Sequence, residues 1–166
     1  QNEAGGFDAG RRFPSLTGII QIEDGDWEGD GKPDLFVFSP EEKQVGRIKI
    51  GDHGRLPFPE LFAIKGRPVA MAVGSFRDED ELTVALLIDD DGRRSVQLHT
   101  AKEAAKSISL SKEFRASPSR MFFHDADQDG RRELVCLTPY EKVNILMQAG
   151  PEKLVEIEVV PPGGTI

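Results

Sequence analysis

Asp26-Trp27-Glu28-Gly29-Asp30-Gly31-Lys32-Pro33-Asp34-Leu35 and Asp125-Ala126-Asp127-Gln128-Asp129-Gly130-Arg131-Arg132-Glu133-Leu134 are two versions of one pattern. Each reads acid-x-acid-x-Asp-Gly-x-x-acid-Leu, and each runs straight into a short apolar stretch of strand character. Alternate carboxylates around a glycine turn suit a hard cation, which gathers about six to eight oxygens at short range. Numbered from the first acid, positions 1, 3, 5 and 9 supply side chains. These are Asp26, Glu28, Asp30 and Asp34 in one loop, and Asp125, Asp127, Asp129 and Glu133 in the other. Position 7 supplies only a backbone carbonyl, so Lys32 and Arg131 can stand there with their cationic side chains turned outward. Position 6 is Gly31 or Gly130, where the turn asks for a left-handed backbone.

An EF-hand needs a bidentate glutamate at position 12 and a helix beyond it. Position 12 here is Val37 or Cys136, and a strand pattern follows, so that alternative fails. Magnesium prefers a tighter octahedral shell with more water, so the expected ion is calcium, one per loop. Four carboxylates in one loop repel one another unless a cation is present, which makes occupancy a condition of order.

Outward from the loops the chain is a succession of short runs rich in β-branched and aromatic residues. Twelve strands are predicted, over 18–22, 35–38, 45–50, 61–64, 69–73, 82–88, 95–98, 107–110, 120–123, 134–137, 143–147 and 154–160, with glycine-rich turns between them. Asp89-Asp90-Asp91-Gly92 lacks the alternation of the two loops and reads as a plain hairpin turn. The leucines that close each acidic segment, Leu35, Leu82 and Leu134, lie 47 and 52 residues apart. Residues 34–43 and 133–142 also agree beyond the loop, through Ser39-Pro40 and Thr138-Pro139 to Glu42-Lys43 and Glu141-Lys142. The middle copy, residues 74–82, keeps the leading strand and the closing Glu81-Leu82, but Ser75 stands where the first Asp would be.

Four antiparallel strands per repeat of about 50 residues is the pattern of a β-propeller blade. The predicted fold is therefore all-β, a β-propeller segment of three four-stranded antiparallel blades with calcium-binding loops. The blades would cover 18–66, 67–117 and 118–161, between an N-terminal tail or linker at 1–17, ordered near Phe13, and a C-terminal linker at 162–166. Propellers close with about four to eight blades, so three imply either a piece of a longer chain or copies assembled into a ring. The Pro161-Pro162-Gly163-Gly164 ending favours the first, and the start at Gln1 suits a processed or excised piece.

The loops resemble those of FG-GAP and VCBS repeats, whose blades carry an Asp-x-Asn/Asp-Gly-Asp-Gly-x-x-Asp-Leu segment between the first two strands. Ser39-Pro40 and Thr138-Pro139 fall where that family's Gly-Ala-Pro closes the second strand. The resemblance implies structural calcium sites and a non-enzymatic module for a protein or carbohydrate ligand, extracellular, cell-surface or periplasmic, as in integrin α-subunits. It also leaves an alternative, since some polysaccharide lyases are built on similar repeats.

Composition narrows the remainder. Net charge is −8, which repels phosphate backbones and argues against a nucleic-acid partner. No run approaches the roughly 18 apolar residues of a membrane span. Cys136, the single cysteine, lies in an apolar run and reads as a small buried hydrophobe. His53, His99 and His124 lie far apart, and no Ser-His-Asp order, P-loop or zinc spacing is present. Trp27, at non-ligand position 2, is expected to pack on the blade, with an exposed recognition role as the alternative.

Overall fold

The computed structural model describes residues 9–76, 81–111, 114, 117–138, 143–150 and 153–159. The loop of the middle copy at 77–80, Pro139 and the expected C-terminal linker lie outside the described residues. Three four-stranded antiparallel sheets are present, each drawn from one unbroken stretch of chain. The first holds β1 (Gln21–Gly25), β2 (Asp34–Ser39), β3 (Gln44–Lys49) and β4 (Glu60–Leu61), with a 3-10 turn at Asp52–Gly54 before β4. The second holds β5 (Arg67–Ser75), β6 (Leu82–Asp90), β7 (Arg93–His99) and β8 (Lys106–Ser109). The third holds β9 (Arg120–His124), β10 (Glu133–Leu137), β11 (Val143–Gly150) and β12 (Lys153–Val159). Strand order follows chain order in each sheet, and none of the sheets is closed on itself.

All twelve expected strands are found, with shifted ends. β1 begins at Gln21 because the chain turns at Gly18, φ +59°, although Ile20 still donates its amide to the Phe38 carbonyl at 3.1 Å. β4 ends at Leu61, although Phe62 still donates its amide to the Val45 carbonyl at 3.0 Å, and Phe62 and Ile64 pack against the first two sheets. The Asp89–Gly92 segment is the expected hairpin turn. Asp91 and Gly92 have φ +48° and +81°, the two left-handed residues of a type I′ turn, and the Asp89 carboxylate accepts the Gly92 amide at 2.9 Å.

Packing follows from the two-residue period of the strands. Along β6 the run is apolar at nearly every position, as expected for a strand buried on both faces. Val84, Leu86 and Ile88 meet Phe36, Phe38 and Val45 of the first sheet. Ala85 and Leu87 belong instead to the cluster containing Met121, Leu134, Cys136 and Leu146 of the third. The second sheet therefore lies between the other two. The loop-closing leucine sets a common register: Phe36 and Phe38, one and three residues past Leu35, face the following sheet. Ala85, three residues past Leu82, faces its following sheet too, so the same packing step is used twice.

The outer faces of the end sheets differ. On the first, Leu16 is buried against Val37 and Ile48, with Ile19 and Leu56 beside it, so the segment expected to be a tail is in part a cover. Ser39 holds that cover in place by donating its hydroxyl to the Thr17 carbonyl. Ile20 and Ile22 remain exposed at its margin, and on the third sheet Val155 and Ile157 are exposed. Among the described residues no helix is long and apolar enough to cross a membrane.

Candidate metal centre

Both acidic segments connect the first two strands of their sheets, β1 to β2 and β9 to β10. Their backbones fold alike. Position 4 is left-handed in each, Gly29 at φ +72° and Gln128 at φ +63°, and so is position 6, Gly31 at +82° and Gly130 at +92°. The first aspartate organises each turn from inside. Asp26 accepts the amides of Gly29 at 2.8 Å, Asp30 at 3.0 Å and Gly31 at 2.7 Å. Asp125 accepts those of Asp129 and Gly130, both at 3.1 Å. The position 5 acids accept the position 7 amides, Lys32 to Asp30 at 2.9 Å and Arg131 to Asp129 at 2.8 Å. Lys32 and Arg131 themselves are exposed residues.

The side chains at positions 3 and 9 separate the two loops. In the second, oxygens of Asp125, Asp127 and Glu133 all lie within 4.8 Å of one another. Oxygens bound to one calcium ion at about 2.4 Å lie no more than roughly 5 Å apart, so these three fit a single cation. No other group of three or more His, Cys, Asp or Glu among the described residues gathers in this way. Glu133 is buried at the start of β10 and accepts the Ala126 amide at 2.8 Å, which fixes one carboxylate oxygen beside the turn.

In the first loop Glu28 is taken up by cations on β3. Its carboxylate bonds to the Lys49 ammonium and lies 3.4 Å from the Arg47 guanidinium. Arg47 also reaches Asp34 at 4.0 Å and Glu60 at 3.0 Å. The bond to Lys49 holds the Glu28 carboxyl below its usual range. The same bond holds the Lys49 ammonium above its ordinary value, with the fields of Asp30 and Asp34 adding to it. Burial pushes Asp34 upward, opposed by the Arg47 charge.

The sequence reading missed Arg47 and Lys49, because the loop pattern says nothing about strand three. The signal was in the repeat. Asp34 pairs with Lys49 and Phe36 with Arg47 across β2 and β3. In the third sheet Val135 pairs with Ile145 and Leu134 with Leu146, so Ile145 stands where Arg47 does. One further step of that ladder brings Met147 opposite Glu133, the place of Lys49.

Three of the other candidates, Trp27, His99 and Cys136, are packed. Trp27 meets Phe36 and Phe62 edge to face, each at 5.7 Å between centroids, so it packs on the first sheet. His99 is buried against Phe62 at 5.0 Å, its Nε2 without a hydrogen-bond partner, and burial lowers its pKa. His124 is exposed beside the second loop, and the His53 side chain lies outside the described residues. Cys136 is fully buried, which pushes its thiol up to about 12. In the middle copy, Phe76 is buried and tilts against Phe123 at 5.4 Å.

Compared with known proteins, the chain matches no family model and has no significant match among curated proteins. Fold and site together define an all-β chain of three stacked four-stranded antiparallel sheets, carrying, among the described residues, one convergent triad of carboxylates at the β9–β10 connection.

Proposed function

We propose that this chain is a calcium-stabilised β-propeller segment of the FG-GAP/VCBS type. It would act as a non-enzymatic binding module for a protein or carbohydrate outside the cytoplasm. The observation that carries the reading is the convergence of Asp125, Asp127 and Glu133 at the β9–β10 connection. Support for the blade reading comes from the repeated packing step between sheets and from β5 lying against both β1 and β9, as innermost strands around an axis would. Three sheets do not ring an axis, so the reading requires further blades, from a longer chain or from further copies.

Asp125, Asp127 and Glu133 would hold the ion, whose charge offsets their mutual repulsion and ties the turn to the first residue of β10. Extracellular calcium of about 1 mM, acting on a site with a dissociation constant of about 10 µM, would add roughly 2.7 kcal/mol of stability. The test is thermal unfolding in calcium against excess chelator, for the wild type and Asp127→Ala. A rise of about 5–10 °C with calcium, lost in the variant, is expected. An unchanged wild-type midpoint would reject the calcium reading.

A further inference from the structure

Two loops with the same backbone and the same acid pattern have different charge environments, and the difference lies on the neighbouring strand. Around the first loop, β3 places Lys49 on Glu28 and Arg47 within ion-pair reach of both Glu28 and Asp34. Around the second, the corresponding strand offers Ile145 and Met147. We propose that Lys49, backed by Arg47, is the resident cation of the first loop, so that this loop is held in its turn by a covalently tethered charge and excludes a free metal ion.

The proposal rests on the reading of the second loop as a calcium site, and it divides the two repeats into one that takes an ion and one that carries its own. Two observations support it. Glu28, the position 3 acid, is committed to β3, and the acids of the first loop do not converge as Asp125, Asp127 and Glu133 do. In addition, a tethered ammonium has no translational entropy left to lose and cannot be diluted away. A free ion would have to displace it and leave two cationic side chains beside a divalent charge. At short range near a surface, each such repulsion exceeds the energy of a tenfold change in binding.

Trp27 makes the proposal measurable, because the chain's only tryptophan sits inside the first loop. Terbium bound there would be sensitised by excitation of the indole. The experiment uses the full chain carrying Asp125→Asn and Asp127→Asn, which silences the second loop, with and without Lys49→Met. Lys49 is half exposed, and Lys49→Gln serves as a second variant should the methionine perturb folding. The expected result is no saturable Trp27-sensitised emission with Lys49 present. Saturable, calcium-displaceable emission should appear on its removal, with affinity increased by about tenfold or more. Saturable emission with Lys49 in place would overturn the proposal, as would variants that stay equally dark. Calcium calorimetry on the wild type reads the second loop separately. One equivalent is expected, lost in the Asp125→Asn/Asp127→Asn protein. A wild type that takes up no calcium would reject the second-loop reading, while the emission arms still judge Lys49.

Discussion

Gln128 adopts in the second loop the left-handed backbone that Gly29 adopts in the first, φ +63° against +72°. A side chain at that angle crowds its own carbonyl, and glycine alone avoids the cost. Replacing Gln128 with Gly should therefore stabilise the folded chain by about 0.5–1 kcal/mol, net of the added freedom of the unfolded state. Urea unfolding of the two proteins at fixed calcium checks this. A loss of stability would mean that the glutamine side chain contributes more than its backbone costs.

Leu86 is fully buried on β6 among Phe36, Phe38 and Met71. Truncation to Ala should cost about 2–5 kcal/mol, because the surrounding strands are held by their ladders and cannot collapse into the space. Ile157→Thr, on the exposed face of the third sheet, should change stability by less than about 0.5 kcal/mol. Denaturant midpoints of the two variants should therefore separate clearly, and comparable losses would refute the assignment of buried and open faces.

His99 provides a pH dependence. Burial lowers its pKa in the folded chain, so as pH falls the unfolded chain takes up this proton first. Stability is fully present above the ordinary histidine value near 6.5 and declines as pH drops below it. The decline ends once the folded pKa is passed. Comparing wild type with His99→Gln at pH 7.5 and 5.5 should show the smaller loss in the variant. Identical losses would place the acid sensitivity elsewhere.

Cys136 should be inert while the chain is folded. With its thiol pushed up to about 12, roughly one molecule in ten thousand carries the thiolate at pH 8, and the sulfur has no exposed surface. A maleimide should label it at the rate of unfolding and no faster. Prompt labelling in buffer would show that β10 opens locally.

The strands were legible because their signal is local. Val84, Leu86 and Ile88 alternate with Ala85 and Leu87 in a run too apolar for anything but a doubly buried strand, and Asp91-Gly92 announces its own turn. The turns of the acidic loops were legible for the same reason, since one segment holds both the left-handed glycine, Gly31 or Gly130, and the aspartate that accepts its amide. What escaped was anything requiring a second segment. The β1 start was drawn toward Ile19 and Ile20 because hydrophobicity does not reveal that Gly18 bends the chain. Leu16 reads as part of a polar tail until Val37 and Ile48 are seen beneath it. The roles of Arg47 and Lys49 depend on ladder register, which sets Asp34 against Lys49 and cannot be counted off from the loop.

Each sheet takes its four strands from one continuous stretch, so every ladder closes over a short connection. Such a chain can assemble in order as it leaves the ribosome, one sheet at a time. Completing a sheet does not complete its burial, however. Phe36 and Phe38 wait for residues 82–88 to emerge before anything covers them, and Leu87 then waits for residues 134–146. During synthesis the newest finished sheet is therefore always the adhesive one. Slow translation just after residue 61 or residue 109 would prolong the interval in which neighbouring nascent chains can be captured.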